Sequence, residues 1–535
     1  MSFQFDSMKY AYASSRKVVF AQGGMVCASQ PLVAQAGLDI IKKGGNAIDA
    51  AVAAAACLTV MEPTGCGIGS DAFALVYTNG KLHGLNASGP APADIDVEAL
   101  RREHGEKMPT YGWEPVTVPG AVAGWRALSN KFGRLPFSEL MAPAIKYAAE
   151  GFPVSPIVAN NWSAAFHKFS QELKRDCFKS WFSTFAQQGR APKAGEVIRL
   201  QEHADTLREL ASTDGESLYR GALADVIDST ARSHGGKLRK EDLATYTPQW
   251  VEPISTNYKG YTVHEIPPNG HGIVALMALD ILSGMDIGAF GDAKTLHAQI
   301  EAMKLAFADG MYYVAEPSFM EVTTQQLLDK AYSEARRSLI GERAATPSHG
   351  NPGGGDTVYM CTADSDGNMV SYIQSNYMGF GSGIVVNGIS MQNRGNNFSL
   401  NPTSRNCIAP GKRPYHTIIP GFLSKDGMPV GPFGIMGGFM QPQGHVQLIM
   451  NTIDFGMNPQ EALDAPRWQW TSGNKVEIER GFCEAVSQQL VRLGHSIRIP
   501  TESTMMGRGQ IIWRDSDGVL AGGTEPRTDG IIAAF

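Results

Sequence analysis

The sequence predicts an α+β protein with a single layered body, in which helices cover two β-sheets as a four-layer αββα sandwich. Helical patterns dominate the first 350 residues, and strand-like runs and glycine loops dominate the remainder. No low-complexity linker, charge run or internal repeat divides the chain of 535 residues. A chain of this length can form several domains, but the unbroken pattern favours one body.

Capping residues and helical periodicity predict the helices. Ser29 is predicted to cap a helix that carries Pro31 in its first turn and stops at Gly44 and Gly45. The alanine-rich stretch 47–60 is predicted to be a helix buried against its neighbours. Further helical regions are expected as amphipathic helices at 135–150 and 293–313, a helix at 273–284 and a mostly helical, polar region at 160–240.

Two segments of the first half are predicted to be strands. The run AFALVYTNGKLHGLNA (72–87) alternates around Asn79-Gly80, the dipeptide that favours a tight hairpin turn. The run GYTVHEIPPNGHG (260–272) indicates a strand that enters a proline- and glycine-rich loop.

Composition and charge exclude several classes of protein. The formal net charge is −6, with 18% charged residues, so nucleic acid and anionic membranes are not expected as partners. The most apolar stretch, 47–61, carries Asp49 and is too short to span a bilayer. The N-terminus has no apolar secretory core. The seven cysteines form no CxxC pair, which indicates reduced thiols and a cytoplasmic protein.

The stretch NPGGGDTVYMCTAD (351–364) places three glycines and an acid directly before a strand-like run. A phosphate-binding loop would need a helix after the glycines and a GK[ST] signature, and neither is present. An inert flexible linker is a second reading. A third is a self-cleaving Asp356–Thr357 bond, after which the new α-amine of Thr357 would activate its own hydroxyl.

The register of a predicted hairpin bears on these alternatives. Strands on either side of Ser365-Asp366-Gly367 pair so that Asp364 faces Asn368. Thr357 then faces Ser375. A second hydroxyl beside a nucleophile is suited to relay a proton or to orient the attacking oxygen.

Many segments, in order along most of the chain, resemble the γ-glutamyltransferase family of N-terminal-nucleophile hydrolases. The segments that carry the resemblance are GGNAIDAA (44–51), VPGAVAGW (118–125), APAIKYAAEGF (142–152), KEDLATY (240–246), EAMKLAFAD (301–309), GGGDTVYMCTADSDGN (353–368), FGSGI (380–384), GKRP (411–414), MGGFMQPQGH (436–445) and DAPRW (464–468).

The resemblance implies an αββα fold and an inactive proenzyme that cuts itself into residues 1–356 and 357–535, both parts of one body. It implies Thr357 as the nucleophile and Ser375 in place of the family's second threonine. The N–H groups of Gly437 and Gly438 match the donors that stabilise the oxyanion. The resemblance implies neither a metal nor an organic cofactor, and the sequence holds no HExxH motif.

The sequence departs from the family where γ-glutamyl enzymes bind their donor. Ser88 stands at or near the place of an arginine that grips the α-carboxylate, and His416-Thr417 replace a serine pair. Asn396 and Asn397 replace the acid that binds the α-amino group, and a neutral amide lacks the charge to bind an ammonium strongly.

Other residues of these segments are candidates to bind a different acyl group. Tyr377 replaces an asparagine, and Arg394 offers a cation for another carboxylate. His416 is expected to bond the substrate or to titrate near neutral pH. Gln441 is a candidate pocket residue, whereas His271 and His445 are expected to be structural.

Three hypotheses follow for the function. The first is a self-processing amidohydrolase that cleaves a small acyl amide through an acyl-enzyme on Thr357. The second is a glutathione hydrolase or γ-glutamyltransferase with an altered donor site. The third is a catalytically silent binding protein. The expected partners are an amide substrate and the two cut chains for one another, with a homodimer of αβ units as an additional possibility.

Overall fold

The structure is a computed structural model that describes residues 16–346, 356–501 and 504–535. The three glycines before Asp356 and the N-terminal segment 1–15 therefore lie outside the described residues. The strands are β1 Val19–Ala21, β2 Gly24–Ala28, β3 Asp71–Thr78, β4 Lys81–Ala87, β5 Phe152–Pro153, β6 Val197–Ile198, β7 Gln249–Val251, β8 Ile254–Tyr258, β9 Tyr261–Glu265, β10 Asp356–Asp364, β11 Met369–Tyr377, β12 Val385–Val386, β13 Ile389–Ser390, β14 Gly421–Lys425, β15 Met428–Met436, β16 Trp468–Ser472, β17 Lys475–Ile478, β18 Ser496–Arg498, β19 Arg508–Arg514, β20 Leu520–Thr524 and β21 Ile531–Ala534.

Helices surround these strands. They are α1 Pro31–Lys42, α2 Ala47–Met61, α3 Val97–His104, α4 Ala121–Phe132, α5 Phe137–Glu150, α6 Pro156–Glu172, α7 Lys179–Phe185, α8 Gln201–Ser212, α9 Ser217–Arg220, α10 Ala222–Ser233, α11 Lys240–Thr245, α12 Gly272–Ser283, α13 Ala293–Tyr313, α14 Thr324–Leu327, α15 Lys330–Arg337, α16 Met440–Ile453, α17 Pro459–Asp464 and α18 Glu484–Arg492.

Two seven-stranded sheets form the centre of the molecule. One has the order β1-β20-β19-β15-β14-β9-β8 and the other the order β21-β2-β10-β11-β3-β4-β7. The sheets face each other through β10, β11, β15 and β19. Helices α1 and α2 cover the outer face of the β10 sheet, and α12, α16 and α17 cover the other. The predicted αββα sandwich is therefore confirmed.

Both sheets mix strands from the two sides of the Asp356–Thr357 bond. In the β10 sheet, β11, β21 and all of β10 after Asp356 follow this bond, whereas β2, β3, β4 and β7 precede it. In the other sheet, β1, β8 and β9 precede the bond and the remaining four strands follow it. Each sheet is therefore assembled from both segments.

Most predicted elements are confirmed. The hairpin of β3 and β4 turns at Asn79 and Gly80, which both have positive φ. Helix α2 is buried along its whole length. The side chain of Asn46 caps it by accepting the N–H groups of Ile48 and Asp49.

Two local predictions are wrong. Ser29 does not cap α1, because Gln30 occupies that position without a side-chain cap, and the Ser29 hydroxyl donates instead to the carboxylate of Glu62. Helix α13 is not amphipathic. It is buried almost all round because α12 lies on one side of it while α18 and β16 also pack against it.

Candidate active site

Thr357 and Ser375 lie together where β10 begins. The predicted register is observed from Val358, opposite Gln374, to Ala363, opposite Met369. The pairing shifts at Thr357, which leaves that residue in an irregularity of the strand. Thr357 is buried, and its hydroxyl donates to the Ser375 hydroxyl at 3.2 Å. The two hydroxyls are thus held in contact, as the hairpin register predicted.

Tyr377 ends β11 in a strained conformation. Its φ is 79°, in the left-handed region that a bulky side chain rarely adopts. Its backbone N–H donates to the Ser375 hydroxyl at 2.7 Å, which fixes that oxygen beside Thr357. Burial raises the pKa of the Tyr377 phenol to about 12, so it stays neutral. The backbone of Tyr377 therefore anchors the second hydroxyl.

The guanidinium of Arg394 lies over the Tyr377 ring, 4.6 Å from its centroid. It is fully buried, and its Nη1 donates to the Thr417 hydroxyl at 2.7 Å. Its Nε and Nη2 have no hydrogen-bond acceptor among the described residues. Burial lowers the pKa of Arg394 to about 10, so the group remains a cation at neutral pH. A buried cation with unused donors is suited to an anionic ligand.

A buried carboxylate, Asp71, faces the same guanidinium. Its Oδ2 lies 4.0 Å from Arg394 Nε and 3.0 Å from His416 Nε2, and its Oδ1 accepts the N–H of Gly89. Burial raises the pKa of Asp71 to about 7, although Arg394 acts to lower it. Burial, reinforced by Arg394, lowers the pKa of His416 well below its usual value. His416 therefore stays neutral near pH 7, and the expectation that it titrates near neutral pH is wrong.

Sequence reasoning did not single out Asp71. The sequence feature that could have indicated Asp71 is an acid at the end of the glycine-rich turn TGCGIGSD, directly before an apolar strand. Its partners Arg394 and His416 lie more than 300 positions away along the chain, so no local pattern connects them. The β-sheet makes the connection, because Asp71 of β3 pairs with Ser375 of β11.

Gly437 and Gly438 form the turn between β15 and α16. Their φ values are 133° and 57°, which suit glycine and disfavour any residue with a side chain. Neither N–H donates a hydrogen bond to another described residue. The carbonyls of both glycines accept bonds from the first turn of α16. The turn therefore presents unused donors beside a helix N-terminus, where negative charge is favoured.

The remaining candidates lie at different depths. Gln441 accepts the N–H of Ile419 while its Nε2 lacks a partner among the described residues, as does Nδ2 of Asn397. Ser88 bonds Asn86 and lines a separate polar cavity of about 350 Å³. Ser88 therefore does not contact Arg394, although the next residue bonds Asp71.

His445 and His271 differ in their surroundings. His445 bonds Glu265 at 2.6 Å, as a structural histidine does. Burial lowers the pKa of His271 to about 3, so its ring is neutral near pH 7. His271 packs against the rings of Tyr415 and Phe439.

A buried cluster elsewhere was not anticipated, because the sequence shows no ligand spacing typical of metal sites. His297 and Glu301 lie one turn apart on α13, and His495 joins them so that one ligand atom of each lies within 4.8 Å of the others. Lys304 donates to Glu301 at 2.7 Å, and the two histidines bond each other at 2.8 Å. The lysine already neutralises the carboxylate, so this donor set does not fit a divalent cation.

The same cluster holds the segment that precedes residue 347. His297 Nε2 contacts the carbonyl of Gly341 at 3.0 Å, and Glu301 accepts the N–H of Ala345 at 3.0 Å. Lys304 donates to the carbonyl of Ala345 at 3.1 Å. The segment 341–346 is therefore fixed to α13.

No helix in the described part of the chain is both long enough and apolar enough to cross a membrane. The αββα sandwich with a threonine at the head of a central strand defines an N-terminal-nucleophile hydrolase. The gamma-glutamyltranspeptidase family model matches residues 33–535, and the chain belongs to that family.

Relatives that are similar over nearly the whole chain support this assignment. The glutathione hydrolase-like YwrD proenzyme of Bacillus subtilis is 35% identical over 96% of this chain and 99% of its own. The oxamate amidohydrolase proenzyme of Klebsiella pneumoniae is 35% identical over 96% and 98%. The crystal structure of cephalosporin acylase from Bacillus halodurans is 60% identical, covers 100% of this chain and 99% of its own, and has a TM-score of 0.97.

Proposed function

We propose that this protein is made as an inactive precursor, cuts itself between Asp356 and Thr357, and then hydrolyses a small acyl amide through an acyl-enzyme on Thr357. The observation that carries the proposal is the contact of 3.2 Å between the buried hydroxyls of Thr357 and Ser375. Relatives named as proenzymes, acylases and amidohydrolases support the same reaction class.

The proposed reaction uses one nucleophile twice. In the precursor, Thr357 Oγ attacks the carbonyl of Asp356 and the C–N bond breaks, which frees the α-amine of Thr357 and leaves an ester. Water then hydrolyses this ester, which frees the Thr357 hydroxyl and leaves Asp356 with a carboxylate. In the mature enzyme that amine removes the proton from Oγ as the hydroxyl attacks the substrate amide, and it returns the proton to the leaving amine. Gly437 and Gly438 stabilise the oxyanion, and water releases the acyl group.

The pocket favours an anionic acyl group over a γ-glutamyl group. A γ-glutamyl donor carries an ammonium that needs a carboxylate, but Asn397 supplies a neutral amide. Asp71 is the carboxylate nearest to Arg394, and it is already bonded to His416 and Gly89. The unused donors of Arg394 suit a carboxylate on the acyl chain. Comparing γ-glutamyl-p-nitroanilide with glutaryl-p-nitroanilide tests this preference, because the two differ only in the α-amino group. Faster turnover of the γ-glutamyl compound would contradict it.

Substitution of the nucleophile tests the function itself. Thr357→Ala is expected to leave one uncut chain without amidase activity, whereas the wild type yields residues 1–356 and 357–535 on a denaturing gel. Thr362→Val is the matched control, because Thr362 is a buried threonine of the same strand whose hydroxyl bonds Ala47. A Thr357→Ala protein that still splits or still turns over amide would refute the assignment.

We further propose that the protein is cytoplasmic and that the αβ unit pairs as a homodimer. Among the described residues all seven cysteines are free, and Cys27, Cys57, Cys66 and Cys361 are buried, as reduced core thiols are. Fractionation of native cells tests the compartment. Light scattering of the cut protein tests the dimer, and a mass of one αβ unit would contradict it.

A further inference from the structure

Asp71 occupies a position at the candidate site that catalysis through Thr357 does not require. It is fully buried at the start of β3, directly across the sheet from Ser375. Its two oxygens accept from Gly89 and contact His416, and it faces Arg394 at 4.0 Å. Among the described residues it is the only carboxylate within that distance of Arg394.

The distance of 4.0 Å between Asp71 and Arg394 is too long for a hydrogen bond. The Nε and Nη2 of Arg394 lie on one edge of the planar guanidinium, and neither has an acceptor in the described part of the chain. This edge matches the two oxygens of a carboxylate. Because Asp71 accepts no hydrogen bond from this edge, both of its donors remain available to a ligand carboxylate, with Asp71 beside it.

Binding in this way would bring two carboxylates to one buried cation. Like charges at one buried site favour protonation of one of the two groups. The ligand carboxylate would be bonded by both N–H groups of the Arg394 edge, which favours its ionised form. Asp71 has no hydrogen bond to Arg394, and so it is the group that gains a proton at the lower cost.

Other titratable groups around Asp71 do not offer a competing proton site. His416 is kept neutral by burial and by Arg394, and burial raises the pKa of the phenols that face the carboxylate. The titratable and charged groups that surround Asp71 are Arg394, His416, Tyr219 and Tyr246, with Arg413 and His271 beyond His416 and Tyr377 beneath Arg394.

We propose that Asp71 is a proton-linked specificity residue, which takes up one proton when the carboxylate of an anionic acyl group binds the Nε–Nη2 edge of Arg394. The proton comes from solvent, and no covalent bond changes. The substrate class is an amide whose acyl chain carries a carboxylate and no ammonium. This step rests on the proposed function only for its kinetic readout, because ligand binding does not need Thr357.

The first experiment measures proton uptake directly. Calorimetric titration of the cut wild-type protein with malonate, succinate, glutarate and adipate at pH 8, in buffers of different ionisation enthalpy, gives the number of protons bound. We expect at least one dicarboxylate to bind with uptake of close to one proton, because burial raises the pKa of Asp71 to about 7, which leaves it mostly ionised at pH 8. Binding without proton uptake, or no binding by any of the four acids, would overturn the proposal.

The second experiment assigns the proton to Asp71. Asp71→Asn keeps the size of the side chain and an oxygen for the N–H of Gly89 but removes the charge. In this variant proton uptake should vanish. The KM for glutaryl-p-nitroanilide, which in wild type should rise up to tenfold per pH unit above pH 7, should become independent of pH from 6 to 9. A variant that retains the wild-type pH dependence would contradict the assignment.

The matched substrate is pentanoyl-p-nitroanilide, which has the same chain length without the carboxylate. Its KM in wild type should not rise with pH, and a rise equal to that of the glutaryl compound would refute the linkage. If the dicarboxylates bind with proton uptake but neither anilide is hydrolysed, the proposed function fails while the role of Asp71 stands. If Asp71→Asn does not fold, the wild-type proton count still decides.

Discussion

Removal of the Ser375 hydroxyl gives the sharpest test of how the nucleophile is held. In Ser375→Ala, Thr357 loses its acceptor at 3.2 Å and the buried N–H of Tyr377 loses its bond of 2.7 Å. A neutral hydrogen bond contributes about 1 kcal/mol, and a bond to a developing charge roughly 1.5–3 kcal/mol. As Thr357 Oγ gives its proton to the α-amine, it becomes the acceptor and Ser375 the donor, so the bond is then of the second kind. We therefore expect a loss of about 10- to 150-fold in rate.

The assay for this variant follows two rates. Purified precursor is incubated and the appearance of the fragment 357–535 is followed on denaturing gels, and the cut protein is assayed for amide hydrolysis. Both rates should fall, with the change in kcat rather than in KM. Ser375→Thr keeps the hydroxyl and should retain most of the activity.

The matched control is Ser371→Ala, another buried serine of β11. Its hydroxyl bonds the phenol of Tyr359 at 2.8 Å, away from Thr357. We expect this change to cost about 1 kcal/mol of stability and to leave the cutting rate within twofold of wild type. Wild-type rates for Ser375→Ala, or equal losses in the two variants, would refute the role of Ser375.

Two further predictions concern the fold. Gly89→Ala would place a Cβ 1.6 Å from the carbonyl oxygen of Val118, so we expect urea unfolding to show a loss of more than about 3 kcal/mol in the free energy of unfolding. Gly341→Ala is the control, because its Cβ would meet open space. It should change the free energy of unfolding by less than about 0.5 kcal/mol. Equal stability of the two variants would contradict this packing. Burial acts to raise the pKa of Glu525, but Arg467 and Arg527 hold it below its usual value. A lowered pKa contributes stability above the unfolded value of about 4.3, and this stability is lost as pH falls. Glu525→Gln should therefore cost about 3–5 kcal/mol at pH 7, and its difference from wild type should shrink below about pH 5. A difference that does not change with pH would show that the charge is not the cause.

The sequence predicted the features that local patterns determine. The hairpin register that joins Thr357 to Ser375 follows from strand alternation and a short turn. The bounds of α13 match the predicted range 293–313, although the predicted amphipathic face is wrong. Ser29 was mistaken for a cap because its hydroxyl bonds Glu62, a residue from the end of another helix. Ser29 could bond either the first turn of α1 or Glu62, and the tertiary structure places Glu62 within reach of its hydroxyl.

Burial and long-range contacts account for what could not be predicted in the candidate site. His416 does not titrate near neutral pH because it is fully buried beside Arg394. No sequence pattern around residue 416 indicates that burial. Asp71 and the cluster of His297, Glu301 and His495 are joined only by the fold. The absence of ligand spacing in a sequence therefore does not exclude a cluster in space.

The interleaving of the two sheets has a consequence for how the molecule is made. Both seven-stranded sheets contain strands from both sides of the Asp356–Thr357 bond, and so under the proposed self-cleavage the sandwich forms before the cut. While the chain is whole, folding is a unimolecular event. Once it is cut, the same sheets can be rebuilt only by an encounter of two chains that each lack neighbours for their strands. Self-cleavage would thus make unfolding effectively irreversible. The denatured mature enzyme would have to refold from two separate chains, whereas its precursor folded as one.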